Sequence, residues 1–157
     1  MINIGDLINL NDGKQYIVVK IGSEQYGIDI SYVDNIVRMQ RITRVPKAQP
    51  YFKGIINLRG EVIPVMSLRL KFDLDEDVIT NTTRIIIIKI EGQGTIGVMV
   101  DEVKEVVTLQ SDEIEKTSGT KDSKNDKTRY LSGVGKHGDT LISLLNIVNV
   151  IVDKDNA

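Results

Sequence analysis

Short runs of β-branched and aliphatic residues, cut by turn residues, dominate the chain. Tyr16–Ile21, Arg84–Ile90 and Thr95–Val100 each read as a strand. Leu58–Val65 contains Arg59-Gly60-Glu61 and reads as two short strands across a turn; Gly135–Ile142 contains Lys136-His137-Gly138-Asp139 in the same setting. Pro64 cannot donate to a ladder, so its strand is expected at an edge or a bulge. Helical spacing is confined to Ser31–Val37 and Asn146–Val152. Frequent turns without long helical periodicity point to an all-β fold of small barrels with short helices rather than to an α/β sheet.

The apolar pattern repeats. Ile17-Val18-Val19-Lys20-Ile21 reaches a turn, then Tyr26-Gly27-Ile28-Asp29-Ile30, then Val33, Ile36 and Val37. Downstream, Ile87-Ile88-Lys89-Ile90 reaches a turn, then Ile96-Gly97-Val98-Met99-Val100, then Val103, Val106 and Val107. Gly60-Glu61-Val62-Ile63-Pro64-Val65 is echoed by Gly138-Asp139-Thr140-Leu141-Ile142-Ser143. These echoes predict two β-units, about 15–72 and 80–152, that bury a common face. Asp73-Leu74-Asp75-Glu76-Asp77 reads as a solvated connector between them. The segment 116–129, polar throughout, is expected to be a flexible loop, because it has no apolar surface to offset its ordering entropy.

Composition narrows the chemistry. With 157 residues, 41% hydrophobic and 27% charged, the chain is ordinary for a globular domain, and a net charge of −2 selects no partner by sign. The absence of cysteine excludes disulfides and thiolate chemistry. The N-terminal residues do not read as a signal peptide, and the apolar stretch Leu141–Val152 is short of the ~18–20 residues of a bilayer span, so a cytoplasmic location without membrane insertion is expected.

No catalytic constellation emerges. Gly92-Gln93-Gly94-Thr95-Ile96-Gly97 fits a dinucleotide fingerprint on paper, but a β-type run follows it, so a hairpin is expected instead. Asp73, Asp75 and Asp77 open like a calcium loop, yet Val78 and Arg84 stand where glycine and glutamate are needed. His137 is the sole histidine, and neither a nucleophile elbow nor a P-loop accompanies it. No cofactor, metal or catalytic residue is expected. The strongest local feature is basic: Arg38, Arg41, Arg44, Lys47, Lys53 and Arg59 occur without an intervening acid, beside Tyr51 and Phe52. The plain reading of that block is a solvated face; protein docking is the leading functional reading, with single-stranded nucleic acid binding on a small barrel as the alternative.

The run Phe52-Lys53-Gly54-Ile55-Ile56-Asn57-Leu58-Arg59-Gly60-Glu61-Val62-Ile63-Pro64-Val65 closely resembles the signature of the CheW family of bacterial chemotaxis coupling proteins. Tyr26–Ile30 with Val33 and Ile36, Val100-Asp101-Glu102-Val103, Leu131–Gly135 and Leu141–Ile147 fit the same pattern, so the resemblance spans about 15–152. It implies two SH3-like five-stranded barrels packed around a shared hydrophobic core, no catalysis, and a monomeric free state. It implies two partners, the regulatory domain of the histidine kinase CheA and the cytoplasmic tip of methyl-accepting chemoreceptors, and no nucleic acid.

Carried over by position, Arg59 falls on an arginine tied to receptor and signalling-complex contacts. Val33 and Ile36 fall on a segment lining the groove between barrels, a setting for helix-in-groove docking. Asn57 and Leu58 flank the arginine. Gly54, Gly60, Gly27 and Gly97 are expected to serve turns. Asn35 replaces a glutamate common in the family, which weakens any charge pairing carried over to the groove; Ser67 and Asn146 stand where aspartate is frequent, departures expected to affect local turns.

Overall fold

In the computed structural model, residues 13–116 and 127–153 are described, which leaves most of the expected polar loop outside the described residues. The first hairpin joins β1 (Lys14–Ile21) to β2 (Glu24–Asp29). A 3-10 turn at Ile30–Tyr32 leads to β3 (Val33–Arg38), and a second hairpin joins β4 (Phe52–Leu58) to β5 (Glu61–Ser67), followed by α1 (Leu68–Lys71). The sequence then repeats this plan. A third hairpin, β6 (Arg84–Ile90) to β7 (Gly94–Val100), precedes β8 (Glu102–Leu109). After β9 (Ile114–Lys116), β10 (Leu131–His137) and β11 (Thr140–Leu145) form the last hairpin before α2 (Ile147–Val152). The glycine-rich 92–97 segment is therefore a hairpin, as its flanking strands require.

The strands form two sheets, ordered β3-β6-β7-β5-β4 and β8-β1-β2-β11-β10-β9. Each closes on itself. In the five-stranded barrel the chain beyond β3 returns to β4 through a reciprocal Thr43–Ile55 backbone pair, both bonds 2.8 Å. In the other, the chain beyond β8 returns as β9 to pair with β10. That short strand makes six strands where five were expected.

The boundary between barrels does not follow the expected units 15–72 and 80–152. Hairpin β1–β2 lies among β8, β10 and β11, while hairpin β6–β7 lies among β3, β4 and β5. Each repeat therefore donates its first hairpin to the barrel of the other. Parallel contacts seal both exchanges: Leu144 pairs with Gly27 in one barrel and Val65 with Gly97 in the other. These pairings align Val65 with Leu144, one residue away from the sequence echo, because Arg59 rather than Gly60 is the counterpart of Gly138. Both turns are two residues long, Leu58 facing Glu61 and His137 facing Thr140.

The exchange explains the continuous apolar runs. Strands buried on both faces lose the polar alternation of a one-sided strand. Along β6, Ile85 and Ile87 enter the interior of the five-stranded barrel, while Ile86 and Ile88 enter the layer between barrels. Along β1, Tyr16 and Val18 fill the six-stranded barrel, and Ile17 and Val19 face the shared layer. Among the described residues that layer holds nineteen buried hydrophobic side chains against six in each barrel interior. At about 1.5–3 kcal/mol per fully buried side chain, the contact between barrels is the main core of the molecule.

Pro64 meets the expectation of an edge. It pairs with Ile55 on β4, and β7 joins β5 only from Val65 onward. Ser31–Val37 departs from expectation. Val33, Ile36 and Val37 fit a helical period in so short a stretch, but pairing with β6 makes most of it a strand.

Candidate functional site

The strand geometry of β3 separates residues that a helix would have grouped. Val33, Asn35 and Val37 turn partly inward, whereas Asp34, Ile36 and Arg38 are exposed. Val33 packs against the shared core, leaving Ile36 as the accessible apolar side chain of the expected pair. Asn35 accepts a hydrogen bond from the Ile36 amide at 2.8 Å, so its side chain is turned toward its own backbone.

Arg59 occupies the tip of the β4–β5 turn and is exposed, with Asn57 exposed and Leu58 half-buried beside it. Both central residues have positive φ, 53° at Arg59 and 81° at Gly60, as a two-residue turn with reversed twist requires. Glycine adopts such angles freely; arginine does so at a cost of about 1 kcal/mol. Among the described residues the Arg59 guanidinium has no ion pair or hydrogen bond. Its five donors are therefore available to a partner.

Barrel closure brings this turn toward β3. From the antiparallel Thr43–Ile55 bridge, Arg59 and Met39 lie equally far along their two chains. Leu58 packs into the same cluster as Val37 and Met39. Arg59, Leu58 and the end of β3 thus belong to one side of the five-stranded barrel. Of two depressions described on the surface, the first shares Met39 with this side. One of about 420 Å³ is lined by residues including Met39, Ile42, Arg44, Phe52 and Ile79, and another of about 570 Å³ by Glu113, Leu141 and neighbours. Arg59, Asn57, Val33, Asn35 and Ile36 line neither.

Of the four glycines expected at turns, Gly60 alone stands in one. Gly27 and Gly97 lie inside β2 and β7, where space rather than conformation excludes a side chain: a Cβ would come within 2.8 Å of Leu144 and 2.7 Å of Ile85 respectively. Gly54 lies in β4 at a bulge, with φ 139° and the Thr43 carbonyl oxygen 2.1 Å from where a Cβ would stand.

The basic block keeps Phe52 partly exposed in a depression with Arg44 and Lys53, but Tyr51 and Lys53 are engaged by the fold. Tyr51 is buried in the shared core beneath the Lys71 ammonium, 4.1 Å from the ring centroid, and Lys53 pairs with Glu76. The expected solvated connector is also tied down. Asp77 accepts a hydrogen bond from the buried Ser67 hydroxyl at 2.5 Å, and Ser67 caps α1 by accepting from the Leu70 amide. Burial pushes the Asp77 carboxyl above its ordinary value, against the pull of the Ser67 hydroxyl and the Lys53 ammonium.

Sequence reasoning missed two polar junctions. Lys71 is buried and donates to the Asp153 carbonyl oxygen at the end of α2. Asp101, at the single-residue passage from β7 to β8, accepts a two-pronged bond from Arg69 at 2.8 and 2.7 Å and a third from the Gly22 amide at 2.8 Å. Burial alone would raise its carboxyl, but the bonds from Arg69 and Gly22 outweigh burial and hold it below the ordinary value. Nothing local marks Lys71 as buried; Asp101 stood within the recognised Val-Asp-Glu-Val motif without a role.

Comparisons with known proteins agree on one family. The model described as "CheW-like domain" matches residues 15–155. A chemotaxis protein CheW from Bacillus subtilis is 34% identical over 94% of this chain and 92% of its own length. One from Klebsiella aerogenes is 30% identical over 92% of this chain and 86% of its own. The crystal structure of the scaffolding protein TtCheW from Thermoanaerobacter tengcongensis superposes with a TM-score of 0.79 at 30% identity, covering 92% of this chain and 91% of that one.

Proposed function

This chain belongs to the CheW-like family, and from that premise we propose that it is a chemotaxis adaptor. It couples methyl-accepting chemoreceptors to the histidine kinase CheA through protein–protein contacts, without catalysis of its own. The single observation that carries this reading is a family match over nearly the whole chain, at full barrel-pair length. Nucleic acid binding finds no support in that match, and the burial of Tyr51 takes away one of the two aromatic rings of the basic block.

The turn at Arg59 supports the docking role independently. A charged side chain held at positive φ, exposed and unpaired among the described residues, costs stability without repaying it inside the fold. Ile36 supplies an exposed apolar side chain on β3 of the same barrel. An amphipathic receptor helix with an acidic or carbonyl-rich flank fits this combination of apolar contact and forked donor. Each contact is modest, near the low end of a ~1,200–2,000 Å² interface, so that multiple copies act by avidity. Association with membrane receptors follows from these protein contacts: no helix among the described residues is long and apolar enough to cross a membrane.

Arg59→Ala tests the assignment in a reconstituted mixture of this protein, a receptor cytoplasmic fragment and CheA. Loss of a central arginine is expected to weaken receptor affinity by about 1–2 kcal/mol, roughly tenfold, with a parallel drop in kinase activation. Unchanged affinity together with unchanged activation rules Arg59 out as a contact.

A further inference from the structure

The chain passes between barrels at two equivalent points, and they are built differently. From β2 to β3 the passage is Ile30–Tyr32, and its polar support is local: Asp29 accepts from the Ser31 amide at 2.9 Å. From β7 to β8 the passage is Asp101, and every polar atom of that residue is engaged. Its amide donates to the Lys20 carbonyl at 3.1 Å and its carbonyl accepts from the Thr82 hydroxyl at 3.0 Å. Its carboxylate holds Arg69 on α1 and Gly22 in the β1–β2 turn. Arg69 belongs to the repeat that builds most of the five-stranded barrel, and Gly22 tips a hairpin of the six-stranded barrel. One side chain therefore spans three elements from both bodies. At the equivalent position of the other repeat, Val148 of α2 takes the place of Arg69, so no such link exists there.

The shared apolar core is strong but non-directional, and burial alone does not select one orientation among near-equivalent packings. A two-pronged arginine–carboxylate pair is directional, because both bonds form in one geometry only. We propose that the Asp101–Arg69–Gly22 junction is a positioning element that fixes the orientation of one barrel against the other, and with it the spacing of partner surfaces on the two bodies. Asp101 acts on partners through barrel placement and touches none of them. The adaptor consequence rests on the function proposed above; the orientation claim stands without it.

The experiment compares the full-length protein with Asp101→Asn and Arg69→Lys by residual dipolar couplings, thermal unfolding and affinity for a receptor cytoplasmic fragment. In the parent protein one alignment tensor fits both barrels. Asp101→Asn keeps a single unfolding transition, but each barrel then needs its own tensor, and receptor affinity falls by about fivefold. Arg69→Lys keeps the charge with one prong and gives an intermediate result. A purely structural role lowers the melting temperature and leaves a single tensor, which overturns the proposal. Separate tensors with unaltered receptor affinity confirm the junction as an orienting element and overturn its link to docking. Parent protein that ignores the receptor fragment refutes the adaptor reading, with the tensors still deciding the junction.

Discussion

The five-stranded and six-stranded barrels are two versions of one plan, and their turn tips show where they diverge. At the end of β10 the turn begins with Gly138, φ 61°, the inexpensive choice for that backbone. At the end of β4 the same position is Arg59, φ 53°. The seams diverge as well: β9 closes one barrel with three paired residues, while the other closes on Thr43–Ile55 beside Gly54. The six-stranded barrel keeps the cheaper residue at this turn. The departure at Arg59 falls on the barrel to which the proposed docking side belongs.

The largest effect is expected at the seams. Gly54→Ala drives a methyl group into the Thr43 carbonyl at an unfavourable φ and is expected to cost about 3 kcal/mol or more. Its counterpart Gly133→Ala meets the Glu115 carbonyl at 2.8 Å without positive φ and costs less, about 1–2 kcal/mol. Denaturant unfolding of the two variants ranks them; an equal cost would show that both seams give way alike.

The passages between barrels come next. Asp101→Asn is expected to cost about 1–2 kcal/mol at neutral pH, against a few tenths for Ser31→Ala at the equivalent passage. The pH dependence has a defined sign. A carboxyl held below its ordinary value contributes stability above the unfolded-state value near 4 and loses it as pH falls through the lower folded-state value. The difference in stability between parent and Asp101→Asn is therefore flat from neutral pH down to about 5 and shrinks below about 4. A difference that grows on acidification contradicts the assignment.

The smallest effect sharpens the opening contrast. Arg59→Gly relieves the strained φ while freeing the unfolded chain, so the melting temperature is expected to stay within about 2 °C of the parent. Gly138→Arg imposes the strain without a partner to repay it and costs about 1 kcal/mol. Calorimetry on both variants decides whether Arg59 has any structural duty.

Much of this was legible in the sequence. The β-branched runs located the strands, and the repeat foretold two barrels on a common core. The family motif placed Arg59 in a turn. Legibility failed where tertiary pairing outweighs local pattern. Val33, Ile36 and Val37 satisfied a helical period and were claimed by β6. Gly27 and Gly97 resembled turn glycines because close approach between strands and a tight turn both demand a missing Cβ. Lys71, Asp77 and Asp101 looked like surface charges, since burial of an ion depends on partners far along the chain. The hairpin exchange was hidden for the same reason: two repeats in series look identical whether or not they trade parts.

That trade bears on how the protein is made. Lys14 must wait for Leu109, and Tyr26 for Ser143, before their strands can pair. During synthesis the five-stranded barrel waits for β7, which ends at Val100, and the six-stranded barrel waits for β11, which ends at Leu145, so the nascent first half carries unpaired strand edges and exposed isoleucines. The first hairpin is thus the segment that waits longest, and a release stalled before β11 would leave it as a sticky intermediate for chaperones to shield.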